Sequence, residues 1–128
     1  MKKRIVSSVL ALLLGVGVPT SAFALSYAFY LQPPFVGSLV STDLHRVDTT
    51  NSAYVNPSYS ATPTNYFLSP QPYSSINATN IVTNVSTAGY RGLSYNSGYG
   101  GQGTYYALSA YPSNFDFIDY LVAGTWSP

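Results

Sequence analysis

The side chains able to do acid–base chemistry in this chain are few, and most sit in one run, Asp43-Leu44-His45-Arg46-Val47-Asp48. On an extended strand Asp43 and His45 share one face, and Arg46 and Asp48 share the other. A carboxylate orienting a histidine beside a serine is the beginning of a hydrolase triad. The plainer reading is a polar strand face with Arg46 and Asp48 paired in solvent, an interaction worth about 0–1 kcal/mol. No G-x-S-x-G elbow supplies a nucleophile. Asp116 and Asp119 are three apart, so on a strand they face opposite sides and cannot act as a carboxylate pair on one glycosidic bond. With one histidine, no cysteine and scattered aspartates there is no metal constellation, no thiolate and no disulfide. No calcium loop of the D-x-D-x-D-G kind is present either. The expectation is a non-enzyme with no cofactor and no metal.

A second stretch carries the letters of a nucleotide site. Gly98, Gly100 and Gly103 in S-G-Y-G-G-Q-G-T-Y-Y spell G-x-G-x-x-G, and Asp119 follows about twenty residues on. In a dinucleotide site the third glycine opens a helix whose N-terminus receives the pyrophosphate. Here T-Y-Y-A-L-S-A-Y follows, which alternates as a strand and meets Pro112. The glycines therefore read as a loop between two strands, placed where φ is positive. Tyr99 and Gln102 stand at its tip as candidate recognition residues.

Those residues need a frame, and the frame begins after a leader. Met1-Lys2-Lys3-Arg4 is basic, Ile5 to Val18 is a short apolar run, and Ala22 and Ala24 mark a cut before Leu25. This is the layout of a secretory signal peptide over 1–24, too short for a membrane span. The expected mature domain is 25–128, secreted and without a transmembrane segment. Cleavage takes Lys2, Lys3 and Arg4 away, leaving two arginines against four aspartates. The whole-chain charge of +1 thus gives way to a slightly acidic protein, with no footprint for nucleic acid.

All thirteen tyrosines lie beyond residue 24. Runs rich in Tyr, Val, Thr and Phe alternate with Pro, Asn, Gly and Ser, and glutamate is absent. β-branched and aromatic residues favour a pleated, half-buried surface. Strands are expected at 26–32, 43–50, 65–69, 80–87, 90–96, 104–111 and 115–126. A further extended piece at 53–61, interrupted by Pro57, is expected at an edge. The last run is apolar on much of both faces and reads as a central strand anchored by Trp126. Turn signals every 8–12 residues make this an all-β chain, a small antiparallel β-sandwich of about seven to eight short strands. The strands are too short and irregular for an outer-membrane barrel.

The expected surface is dominated by Tyr, Ser, Asn, Gly and Thr, a composition that gives contact area at low entropic cost with adaptable hydrogen bonds. Arg91, Tyr95, Tyr99, Gln102 and Tyr105 are the residues expected to bind. Arg91, flanked by Tyr90 and Gly92, has the chemistry to stack on an aromatic ring or grip a carboxylate. The expected partner is a cell-envelope component, a glycan, a protein receptor or another copy of the chain.

The leader, the cysteine-free tyrosine-rich body, S-A-Y at 52–54, S-A-T at 60–62 and the closing aromatic strand resemble short exported proteins of Gram-positive bacteria, the lactococcin-type bacteriocins among them. The ending V-x-G-x-W, Val122 to Trp126, is similar to that of other secreted β-sandwich proteins. The resemblance implies an antimicrobial or cell-envelope role without enzymatic activity, and carries no functional residue across. The leading expectation is a secreted protein that acts by binding at a cell surface. The alternatives are a self-assembling subunit of an extracellular matrix or filament, and a secreted hydrolase dependent on His45.

Overall fold

Alternation sets the first strand. In the computed structural model β1 (Leu25–Leu31) buries Tyr27, Phe29 and Leu31 and exposes Ser26, Ala28 and Tyr30, the two-residue period of a strand with one wet face. The structure describes residues 24–31, 39–48, 53–60, 62–114 and 119–128. The expected leader, but for its last residue, and the head of the expected last strand at 115–118 lie outside the described residues. Eight more strands follow: β2 (Val40–Ser41), β3 (His45–Arg46), β4 (Tyr54–Tyr59), β5 (Thr64–Ser69), β6 (Val82–Val85), β7 (Arg91–Gly92), β8 (Tyr105–Pro112) and β9 (Tyr120–Ser127). Among the described residues there is no helix. Among those residues no helix is long and apolar enough to cross a membrane.

The strands form two antiparallel sheets, consistent with a small β-sandwich. One has four strands in the order β1-β9-β4-β7, and the other has five, β2-β8-β5-β6 with β3 also on β8. Their inner faces share one core containing Tyr27, Phe29, Val55, Tyr66, Leu68, Leu108, Val122 and Trp126. Tyr27 of the first sheet donates to the Tyr66 hydroxyl of the second at 3.2 Å, and their rings meet edge to face at 5.7 Å. Such pairs add about 0.5–1.5 kcal/mol to the area they bury. The expectation for the last strand is met where it can be seen. β9 lies between β1 and β4, and Trp126 is fully buried.

One local expectation is corrected. The 53–61 piece is not an edge: β4 pairs with β9 on one side and with β7 on the other. The proline is tolerated because β7 reaches only Tyr54 and Val55. At Pro57 the ladder on that side has ended, and its carbonyl accepts from the Gly89 amide at 3.0 Å. Across β9 the partner of Pro57 is Gly124, where any Cβ would collide with the Asn56 carbonyl and lie 2.7 Å from the Pro57 Cα. Glycine at 124 is there for close approach rather than for a turn. The glycine stretch is, as expected, a loop between two strands; those strands, β7 and β8, belong to different sheets, so the loop crosses from one sheet to the other.

The two flanks of the sandwich differ. Beside β6 and β7, Ala78 and Thr79 are tied to Leu68 at the end of β5, the Ala78 amide donating to the Leu68 carbonyl at 2.8 Å and the Thr79 hydroxyl accepting from the Leu68 amide at 3.0 Å. The same segment bridges to the chain after β7. Thr79 pairs with Tyr95, the Asn80 amide donates to the Ser94 carbonyl at 3.0 Å and Asn96 donates to Ala78 at 2.8 Å. This clasp joins the two sheets. On the opposite flank β1 and β2 end their sheets, and among the described residues no such join links them.

Candidate functional site

The clasp delivers the chain directly into the glycine loop. Asn96 accepts from the Tyr99 amide at 3.1 Å, and Gly101 accepts from the Thr104 amide at 3.0 Å, so the loop is two tight turns in succession. Gly98, Gly100 and Gly103 have φ of 91°, 93° and 89°, values that L side chains rarely adopt. All three fingerprint glycines therefore serve backbone turns, and the residues after them enter β8 instead of a helix. The pyrophosphate cradle has no helix N-terminus to build on.

Tyr106 organises the loop from beneath. Its phenol oxygen accepts from the Gly100 amide at 2.7 Å, and the Thr104 hydroxyl lies 3.1 Å from it. The Tyr95 and Tyr99 rings pack on the Tyr106 ring at 5.1 and 6.3 Å. A Cβ at Gly100 would lie 2.5 Å from the Tyr95 ring, so glycine is required there twice over, by φ and by contact. The Tyr95 hydroxyl is buried with no hydrogen-bond partner. Burial first, and then the neighbouring Tyr106 phenol, push its pKa well above the usual tyrosine value. The chain just after β3 backs the loop, as the Val47 amide donates to the Thr104 carbonyl at 2.8 Å and the Gly103 amide donates to the Val47 carbonyl at 2.9 Å.

Four of the five residues singled out from the sequence meet at this end of the molecule. Tyr105 is 53% exposed and stands opposite Arg46 across the β3–β8 pairing. Tyr99 is 36% exposed. Gln102 is exposed, with its side-chain amide donating to the Asp48 carbonyl at 2.8 Å. Arg46 and Asp48 form the expected surface pair at 3.6 Å. Tyr95 is the inner member, contributing a ring and no free hydroxyl. Arg91 lies apart on β7, where its guanidinium donates to the Gly89 carbonyl at 2.7 Å and the Thr87 hydroxyl at 2.9 Å. Those bonds brace the β6–β7 connection and leave Arg91 half-buried.

The acid–base run does not assemble. His45 turns its ring edge-on to Trp126 at 5.6 Å, whereas Asp43 is exposed on the segment before β3. Among the described residues no group of three or more His, Cys, Asp or Glu side chains could hold a metal.

A groove of about 450 Å³ on the open flank escaped the sequence reading. Its walls are Ser26 to Tyr30 of β1, Val40 to Asp43 at β2, and Tyr73. Tyr30 and Tyr73 are 58% and 67% exposed, and Tyr73 is held at φ 56° by its amide donating to the Ser41 hydroxyl at 2.9 Å. The alternation of Ser26, Ala28 and Tyr30 was the available signal for one wall. Nothing local announced β2, which is two residues long, or the approach of Tyr73 from thirty-two residues away. No protein-family model matches the chain, and neither a curated protein nor a solved structure matches it.

Proposed function

We propose that this is a secreted, non-enzymatic protein that acts by binding at a cell surface, in the manner of a bacteriocin-like factor, through the glycine-loop end. The observation that carries this reading is the pinning of the loop by the Tyr106 phenol at 2.7 Å from the Gly100 amide. The loop's own backbone and buried rings are spent on holding its shape. What it offers to solvent is Tyr99 and Tyr105, with Gln102, Arg46 and Asp48 around them. Rigid aromatic anchors ringed by short polar groups bind with little ordering cost. Both charge signs are present at the rim, which suits a neutral, hydroxyl-rich or amide-rich partner such as an envelope glycan or a receptor loop.

The test is co-sedimentation of labelled protein with washed bacterial cells and with isolated envelope polymer. The Tyr99→Ala/Tyr105→Ala variant, whose rings are exposed, should fold normally and lose at least about tenfold in cell binding, the cost of removing two aromatic contacts at an interface. Growth inhibition should fall in parallel. Cell binding that is absent in the native protein, or unaffected by the double substitution, overturns the reading. A self-assembling subunit is the second reading, and one observation favours it: the outer edge of β1 has no partner among the described residues.

A further inference from the structure

Four strand edges bound the two sheets, and three of them carry features that discourage pairing with another chain. β7 is two residues long and includes the braced Arg91. β6 is irregular against β5, with Asn84 at φ 55° and its amide taken by the Asn65 side chain at 2.9 Å. The β2–β3 edge is broken into two pairs of residues and carries the charged Arg46. Short length, kinks and charge are the usual protections of a sheet edge. β1 has none of them. It is seven residues long, regular against β9 throughout, and free of charge, proline and glycine. Among the described residues no backbone group pairs with its outer side, and the 450 Å³ groove runs along it.

We propose that β1 pairs with β1 of a second copy of this chain, antiparallel and about a two-fold axis through Ala28. This goes beyond the recognition reading and uses the opposite flank. Leu25–Leu31 is a seven-residue strand, and residue 28 is its midpoint, so only that register pairs the strand along its full length. The pairing is self-complementary. Inward, Leu25 faces Leu31 and Tyr27 faces Phe29, extending both cores. Outward, Ser26 faces Tyr30, and Ala28 meets its own copy with only a methyl group on each side. A two-fold contact of this kind uses the same edge on both copies and closes, so it yields a dimer and not a filament. The two four-stranded sheets become one of eight strands, and both glycine-loop ends are left free, which makes the proposed recognition bivalent.

The absence of native cysteine makes the register directly readable. Directly opposed residues in an antiparallel pair have Cα atoms about 4.5–5.5 Å apart, within reach of a disulfide. Under mild oxidation Ala28→Cys should convert to a covalent dimer, and Ser58→Cys, exposed on β4, should not. By sedimentation between about 1 and 100 μM the native protein should be dimeric, with a melting temperature that rises with concentration, and Ala28→Lys should be monomeric, cooperatively folded and with a melting temperature independent of concentration. A native protein that stays monomeric over this range overturns the proposal. So does a dimer that ignores Ala28→Lys or fails to cross-link through position 28, and so do thioflavin-binding polymers, which would indicate open assembly. Cell binding by the Ala28→Lys monomer is read separately: its loss through reduced avidity leaves the dimer standing, and the Tyr99/Tyr105 result bears only on recognition.

Discussion

The two flanks of this molecule put similar residues to opposite uses. On the β6–β7 side, Tyr95, Tyr106 and three glycines are drawn into a clasp and a pinned loop, where backbone amides and the Tyr106 hydroxyl find partners within the chain. On the β1–β2 side, Tyr30 and Tyr73 stand in the open and, among the described residues, a full strand edge has no backbone partner. Tyrosine richness alone says nothing about which use applies. What distinguishes them is whether the backbone nearby has completed its hydrogen bonds. A satisfied backbone presents side chains, and an unsatisfied one presents itself.

Substitutions on the closed flank should therefore cost stability, with the steepest loss at Gly100. Gly100→Ala meets both a disfavoured φ of 93° and the Tyr95 ring, and should lose about 2–4 kcal/mol in chemical denaturation. Gly98→Ala has a similar φ but open space around it, and should lose only about 1–2 kcal/mol. Equal losses at the two positions would show that the ring contact is relieved by movement. Tyr106→Phe leaves the buried Gly100 amide without its acceptor and should cost about 1–3 kcal/mol. Tyr95→Phe is the inverse case. It removes a buried hydroxyl that has no partner, so the variant should melt at the native temperature or a few degrees above it. A clear loss would mean that water or a shifted neighbour satisfies that hydroxyl.

Alkali should unfold the protein through the same buried rings. Burial raises the pKa of Tyr27, Tyr54, Tyr66 and Tyr95, with the nearby phenols of Tyr66, Tyr90 and Tyr106 adding to the rise for Tyr27, Tyr54 and Tyr95. The folded state thus holds protons that the unfolded chain gives up near pH 10. Their stabilisation is fully present below about pH 10 and is lost as the pH climbs toward the raised values. Tyrosinate absorbance from these four should appear in one step with unfolding. The smallest effect belongs to the open flank: Ala28→Lys should change the stability of the monomer by less than about 0.5 kcal/mol.

The fold class was legible because the composition and the period-two alternation act along the chain, as in Ser26 to Leu31, and because Trp126 sits in a run apolar on both faces. The glycine loop was legible too, as its residues need positive φ whatever surrounds them. Sheet assignment was not. Which sheet receives β7 or β8 depends on pairing between residues far apart, such as Tyr54 with Gly92. Pro57 misled in an instructive way. The rule that proline avoids paired strands is sound, but it acts on one side of a strand, and the length of β7 decided that the proline's side was already empty. The groove lay beyond reach for the same reason: its walls come from three segments that share no local pattern.

The register of β1 on β9 has a consequence for how the chain comes to be folded. Leu25 sits across from Trp126, so the first strand of the sandwich has no partner until the last one has been synthesised. Long-range pairing of this kind makes folding slow. A ribosome must release the chain through β9 before the sheet that carries β1 can close, which leaves the nascent chain threadable until then.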